Sequence, residues 1–187
     1  MGMEELSLSD PSCKDPSPES LTVTRDFERF SIYGFSIGYP KECRVEFNPK
    51  SRRESGHVAF HFPDKVKTFL SWGELERATK NFQTVEKHAE HSLDTVRKSR
   101  NVKNFERVSH DSMTVHSHTG AFDRVKLEEV TVGLFTGNRA APRDAYSVHV
   151  HCPESGRYFV IYTLTPSNTE GKYETTLIAM ANSLKCH

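Results

Sequence analysis

Two histidines one residue apart, followed directly by a cysteine, are the residues of this chain most suggestive of chemistry: positions 148–152 read VHVHC. Imidazole nitrogens and thiolate sulfurs are ligands of zinc sites. Successive side chains of a β-strand point to opposite faces, so His149 and His151 share one face and Cys152 lies on the other. This stretch alone therefore makes a poor His-His-Cys site, and Cys152 is better interpreted as a small buried apolar residue.

Other histidines could extend a metal site if the fold brought them together. A second His-x-His pair precedes a predicted turn at Thr119–Gly120, and His57 and His61 share the polar phase of an earlier strand. The interpretation we favour is that these imidazoles occupy the solvated phase of their strands, because no acidic partner is placed predictably beside them. No cofactor is therefore expected. The candidate metal ligands, should the strands be neighbours, are His116, His118, His149 and His151.

Sequence patterns typical of enzymes are missing from the chain. His88 and His91 do not form the H-E-x-x-H motif of zinc proteases, and we expect both to be solvated on a helix. There is no G-x-S-x-G elbow, P-loop or G-x-G-x-x-G fingerprint. The adjacent carboxylates Glu128 and Glu129 would face opposite ways on a strand. The sequence therefore predicts a protein that is not an enzyme.

Length, charge and cysteine spacing narrow the class of protein further. The 187 residues suit one domain, and 25 basic residues balance 25 acidic ones, which disfavours nucleic acid and acidic membranes as partners. No apolar run approaches the length of a membrane span and no secretory signal is evident, so a cytoplasmic protein is expected. The four cysteines form no C-x-x-C pair, although a Cys152–Cys186 bridge stays open.

Residues 1–25 are rich in Ser, Pro and acidic residues and are predicted to form a disordered tail, with one folded domain over residues 26–187. The stretch SIYGFSIGY (31–39) alternates as one half-buried strand, and CRVEF and HVAFHF repeat that pattern. Later strands are predicted at 105–116, 120–134, 144–152 and 157–165, with 136–144 as a loop. Both phases of the last strand are apolar, which predicts a central strand covered on both faces. In the strand at 120–134 the apolar phase shifts between Leu127 and Val130, which indicates a bulge or a change of cover.

Two helices are predicted. The first begins at a capping box formed by Ser71 and Glu74 and continues as one long amphipathic helix to Val96. The second is the terminal segment, with Tyr173 and Leu184 at the ends of its apolar stripe. The order β-β-β-α-β-β-β-β-α predicts an α+β fold, in which an antiparallel sheet is sandwiched between a long helix and a C-terminal helix.

This element order, with YGFSIGYPKECRVEF near its start, CPESGRYFVIY at 152–162 and YETTLIAMANSLKC at 173–186, resembles the PsbP-like superfamily. The resemblance implies an α/β/α sandwich that serves as a non-catalytic binding module, and it supplies no site residues. We therefore expect an interaction or ligand-binding module with a protein partner. A histidine-rich metal-binding protein and a START-like carrier of a lipid or small molecule are the alternatives.

Overall fold

The computed structural model describes residues 26–133, 137–169 and 171–187, so the predicted tail at 1–25 lies outside the described part. In these ranges the chain forms nine strands and three helices. In chain order they are β1 (Phe27–Ile32), β2 (Phe35–Pro40), β3 (Arg44–Phe47), β4 (Gly56–His61), β5 (Lys67–Glu74), α1 (Leu75–Phe82), α2 (Val85–Arg97), β6 (Val102–Val115), β7 (His118–Gly133), β8 (Gly137–Cys152), β9 (Arg157–Pro166) and α3 (Lys172–Ser183).

The strands form one large sheet and one small one. Seven strands pair in the order β3-β4-β5-β9-β8-β7-β6, and β1 pairs with β2 separately. Each pairing of the described strands is antiparallel. The predicted α+β fold with an antiparallel sheet is therefore confirmed, and β9 occupies the central position that its apolar sequence predicted.

The stretch 31–39 was predicted as a single strand, which is wrong, because the chain reverses within it. Tyr33 and Gly34 adopt positive φ angles of 52° and 79° and join β1 to β2. Two such residues form the turn that best matches the twist of a hairpin. Alternation continues through a two-residue turn without losing phase, so the apolar pattern did not reveal the reversal. Phe35 and Ile37 of β2 are buried in the core.

The predicted capping box is also wrong, because Ser71 belongs to a strand that the sequence analysis missed. Its hydroxyl donates to the carbonyl oxygen of Val160 on the neighbouring strand β9, at 3.4 Å. Glu74 precedes α1 but makes no capping hydrogen bond with its side chain. Leu70 and Trp72 of β5 are buried, and the Trp72 indole donates to a backbone carbonyl at 2.9 Å.

The long helix predicted from residue 75 to 96 is two helices with a break between them. Gln83 ends α1 with φ 66°, a backbone conformation that does not continue a right-handed helix. Thr84 then caps α2, its hydroxyl accepting a hydrogen bond from the Lys87 amide at 3.3 Å. The apolar residues of α1 and α2 keep the same helical spacing across Gln83 and Thr84, so the sequence resembled that of one helix.

The loop predicted at 136–144 lies largely within a strand. The β7–β8 ladder pairs without interruption from Gly120 opposite Val150 to Gly133 opposite Gly137. The apolar phase shift in β7 is therefore not a bulge in this ladder. Register irregularities occur where β7 pairs with the edge strand β6, the first of them between Lys103 and Glu106. The β7 residues at that irregularity are Glu128 and Lys126, which flank Leu127, so a bulge occurs near the predicted position in the β6–β7 pairing.

The main core lies on one face of the sheet, under α3 and the β1–β2 hairpin. Burial of large apolar side chains of this kind stabilises a fold by roughly 1.5–3 kcal/mol for each. On the opposite face, α2 packs through the small residues Ala89 and Val85 against Ala121 of β7. The largest buried side chains of the main core are Ile37, Phe60, Leu70, Trp72, Phe159, Ile161, Tyr173, Leu177, Met180 and Leu184.

Candidate ligand cavity and histidine clusters

His149 and His151 face α2, where they meet a histidine of that helix. The Nδ1 atom of His88 lies 3.2 Å from Nε2 of His151, and Nε2 of His149 lies 3.1 Å from the Ser92 hydroxyl. His149 is only 1% exposed and His88 only 7%. The expectation that these imidazoles are solvated is therefore wrong for His88 and His149, because α2 covers this face of β8. We refer to His88, His149 and His151 as the α2 histidine cluster.

Burial keeps the α2 histidine cluster uncharged at neutral pH. It lowers the pKa of His149 from 6.5 to about 3, with a further contribution from the neighbouring His88 and His151. Burial and the proximity of His151 and His91 lower the pKa of His88 to about 4. Burial also lowers the pKa of His151, against an opposing effect of Glu86. Neutral imidazoles can each donate one hydrogen bond and accept another, which suits recognition of a neutral polar group.

A cavity of about 600 Å³ lies between α2 and the sheet, next to the α2 histidine cluster. Its volume falls in the usual range for small-molecule sites, roughly 300–1,000 Å³. Polar groups, including Ser71, Ser147 and His149, line one part of it. Among the described residues that line it, Glu129 is the one acidic side chain and there is no Lys or Arg. The apolar lining includes Leu93, Val96, Phe105, Val125, Leu127, Val160, Tyr162 and Leu164. We call this space the α2 cavity.

Two buried polar atoms that line the α2 cavity lack a partner. Among the described residues, no hydrogen-bonding group reaches Nδ1 of His149 or Oγ of Ser147. Leaving a buried polar group unpaired costs about 1–3 kcal/mol. The two residues share a phase of β8, two positions apart, so their side chains point to the same side of the sheet. A ligand with one polar end could satisfy both atoms.

The cavity exists because α2 approaches the sheet closely only at its first turns. Ala89 is fully buried against Ala121, whereas Val96 near the end of the helix is 40% exposed. On β9, Tyr162 and Leu164 are 42% and 37% exposed. The prediction that β9 is covered on both faces is therefore wrong at this end. These three apolar side chains line the part of the cavity that reaches solvent.

A second group of metal-ligating side chains lies on the opposite face of the sheet. The β7–β8 ladder ends with Gly120 opposite Val150, and His118 and Cys152 are each two residues beyond this last pair on their own strands. His116 precedes His118 in the β6–β7 turn. The group comprises His116, His118, Cys152, Glu154, Cys186 and His187. We call it the thiol–imidazole cluster.

Distances within the thiol–imidazole cluster are short. Nδ1 of His118 lies 3.5 Å from Oε2 of Glu154, and the Cys152 sulfur lies 3.9 Å from the same oxygen. The Cys152 sulfur is also 3.6 Å from Nδ1 of His187. His118 and Cys152 are buried, whereas Glu154 and His187 are exposed. The arrangement opens to solvent through these two exposed residues.

Cys152 and Cys186 are both buried free thiols, so they form no disulfide in this structure. They are nonetheless in contact, since Cys186 hydrogen-bonds to Cys152. Burial and the neighbouring Cys152 raise the pKa of the Cys186 thiol to about 12. Cys186 is therefore a protonated thiol at neutral pH.

The structure divides the four predicted metal ligands between two faces rather than gathering them. His149 and His151 join His88 under α2, while His116 and His118 join the cysteines on the other side. The strand carrying His57 lies near the opposite end of the sheet from β7, so it contributes to neither cluster. The residues that the sequence analysis did not connect with these histidines are Glu154, Cys186 and His187. Glu154 is two residues after Cys152, and His187 directly follows Cys186. This closeness in sequence was the one signal that could have pointed to them.

Among the described residues, none of the helices is both long enough and apolar enough to cross a bilayer.

The sequence matches no family model and no curated protein. Its fold, in contrast, matches solved structures along most of the chain. The solution structure of cyanobacterial PsbP from Synechocystis sp. PCC 6803 aligns with a TM-score of 0.63 and 10% identity, over 93% of this chain and 98% of that one. The crystal structure of the Ran-binding protein Mog1p from Saccharomyces cerevisiae aligns with a TM-score of 0.57 and 11% identity, over 87% and 96%. At these identities the likeness concerns fold alone, and this chain has the PsbP-like fold.

Proposed function

We propose that this protein is a non-catalytic binding module whose α2 cavity holds a neutral, mostly apolar small molecule with one polar end. The observation that carries the proposal is the pair of unpartnered buried atoms, His149 Nδ1 and Ser147 Oγ, beside an apolar space of about 600 Å³. A hydroxyl or carbonyl of the ligand would hydrogen-bond to these atoms. Its hydrocarbon part would lie along α2 and β9.

A neutral ligand is favoured over an anion by the charges around the cavity. The described lining contains Glu129 but no Lys or Arg, and His149 carries no charge at neutral pH because burial lowers its pKa to about 3. A carboxylate would therefore lose its hydration without gaining a cationic partner. The same low pKa makes His149 a poor general base near neutral pH, which favours binding over catalysis.

Displacement of a neutral apolar dye, Nile red, tests the proposal. We expect 1-dodecanol to displace the dye and dodecanoate to do so at least about tenfold less well, a difference of about 1.4 kcal/mol. Ala145→Phe fills the cavity from β8 and should abolish displaceable dye binding. Ala141→Phe is the matched control, because Ala141 is on the same face of the same strand but outside the lining. Equal loss in both variants, or no binding by the unmodified protein, would contradict the assignment.

Ser147→Ala tests the polar end specifically. Removing a buried hydroxyl that has no partner should leave the free protein as stable or more stable. The same change should weaken the binding of 1-dodecanol while leaving the binding of Nile red nearly unchanged. If instead the variant binds 1-dodecanol as tightly as before, the ligand's polar end does not meet Ser147.

A protein partner is the second candidate, and exposed apolar side chains at the cavity mouth favour it. Tyr162 stacks on Phe69 with ring centroids 5.0 Å apart, and Tyr162 remains 42% exposed. The solved structure of Mog1p is that of a Ran-binding protein, so this fold serves protein binding there. Affinity capture should retain a protein that Tyr162→Asp loses. Val108→Asp is the control, since Val108 is 48% exposed on the edge strand β6 and does not line the cavity.

A further inference from the structure

We propose that His118, Cys152, Glu154 and His187 bind one zinc ion, at a site on the opposite face of the sheet from the α2 cavity. One ligand atom from each of these residues lies within 4.8 Å of the others. Two imidazoles, a thiolate and a carboxylate are all established zinc ligands, and four such donors complete a tetrahedral site. The mixture of soft sulfur and imidazole donors selects zinc over magnesium or calcium.

The distances already approach those of a bound ion. With Zn–N bonds of about 2.0–2.1 Å and a Zn–S bond of about 2.3 Å, neighbouring ligand atoms in a tetrahedron lie about 3.3–3.8 Å apart. Two separations lie in that range, 3.5 Å from His118 to Glu154 and 3.6 Å from Cys152 to His187, and the 3.9 Å from Cys152 to Glu154 is slightly longer. The other ligand-atom separations are at most 4.8 Å, so they would shorten when the ion binds.

Backbone structure holds the four residues in place. His118 and Cys152 are on paired strands, and the turn after Cys152, closed by a hydrogen bond from Gly156 N to Pro153 O of 3.0 Å, carries Glu154. Lys185, two residues before His187, exchanges two backbone hydrogen bonds with Ser36 of β2, of 2.9 and 2.8 Å. The last ligand is thus fixed to the fold just ahead of the site. Rigid support of this kind lowers the entropy cost of binding.

Neighbouring groups suit a metal site. The nitrogen of His118 that faces the Glu154 carboxylate is Nδ1, so Nδ1 is the atom that would bind the ion. The sulfur of Cys186, another buried free thiol, lies within 4.8 Å of a ring nitrogen of His118, so a further soft donor adjoins the site. Binding would release the Cys152 thiol proton to water. The ion would join the segment after α3 to the ends of β7 and β8.

Cobalt and zinc titration of untagged, reduced protein tests the site. Co²⁺ should bind at one equivalent, with a thiolate-to-metal absorption band in the near ultraviolet and the intense visible bands of tetrahedral cobalt, and Zn²⁺ should displace it. Cys152→Ser should lose the near-ultraviolet band. His187→Ala, at an exposed position where folding is not at risk, should weaken binding at least about tenfold.

Matched controls separate this site from the α2 histidine cluster. Cys43→Ser changes another buried cysteine, and His91→Ala removes an exposed histidine of α2, so both should bind cobalt as the unmodified protein does. Weak binding without the thiolate band, or binding that survives His187→Ala and Cys152→Ser but is lost in His149→Leu, would overturn the assignment. Because His149 and Ser147 lie on the other face, Nile red binding in His187→Ala reports on the cavity independently.

Discussion

His88 of α2 and His151 of β8 contact each other through their ring nitrogens, with Nδ1 and Nε2 3.2 Å apart. One imidazole must donate and the other accept, so the contact requires that at least one of them be neutral. Protonation of both would place two positive charges in a site that α2 has shielded from water. This contact therefore couples packing of α2 on the sheet to the protonation of buried histidines.

The first prediction concerns stability at acid pH. The folded-state pKa values of His149 and His88, about 3 and about 4, are below the unfolded value of 6.5. Below pH 6.5 the unfolded chain therefore binds more protons, and the free energy of unfolding should fall as the pH falls. Each histidine contributes a slope of about 1.4 kcal/mol per pH unit, down to its own folded pKa.

Urea denaturation of His149→Leu between pH 7 and 4 checks this slope. Leucine cannot titrate, so the variant should lose the slope of about 1.4 kcal/mol per pH unit that His149 contributes to the free energy of unfolding. Glu86, His110 and His91 also lie close enough to influence the cluster, so the control is a residue that does not titrate. Thr95→Leu, at an exposed position of α2, should keep the full slope. A slope unchanged in His149→Leu would show that this imidazole is charged or solvated in the folded protein.

The second prediction tests the break between α1 and α2. Gln83 has φ 66°, which costs about 1–3 kcal/mol for a residue with a side chain. Gln83→Gly should raise the free energy of unfolding by about 1 kcal/mol, measured by urea denaturation. Lys80→Gly, three residues earlier inside α1, should instead lower it by about 1 kcal/mol. If both changes were destabilising, α1 and α2 would form a continuous helix in solution.

The third prediction concerns the close approach of α2 to the sheet. Ala89 is fully buried against Ala121, so Ala89→Leu should push the helix away and lower the free energy of unfolding by about 1–3 kcal/mol. Glu90→Leu makes a similar change at the next, exposed position and should have little effect. Chemical denaturation of the pair provides the comparison; equal stability of the two variants would mean that α2 does not pack as described.

The fourth prediction concerns the β1–β2 hairpin. Arg157 is 6% exposed, and its Nη2 donates to the Tyr33 carbonyl oxygen at 2.8 Å. Arg157→Met keeps the apolar stem but leaves that carbonyl unpaired, so stability should fall by about 1–3 kcal/mol. Amide hydrogen exchange should accelerate in β1 and β2 first. Arg44→Met is the control, because the Arg44 side chain is 68% exposed. It should change neither the free energy of unfolding nor the exchange rates in β1 and β2.

Much of the fold could be predicted from local pattern. The alternation of β8 placed His149 and His151 on one face and Cys152 on the other, and the structure has this arrangement. The apolar run of β9 correctly indicated a central strand. Two errors arose because a periodic apolar pattern does not show where the chain changes direction. Alternation continues through the Tyr33–Gly34 turn, and helical periodicity continues across the break at Gln83.

What the sequence by itself determined is which side chains share a face, because the two-residue repeat of a strand depends on local geometry alone. Only the tertiary structure decided what covers each face. His149 is buried because α2 packs over it, and His118 meets Cys152 because of the register between β7 and β8. Both depend on contacts between residues far apart in the chain, which no local repeat encodes.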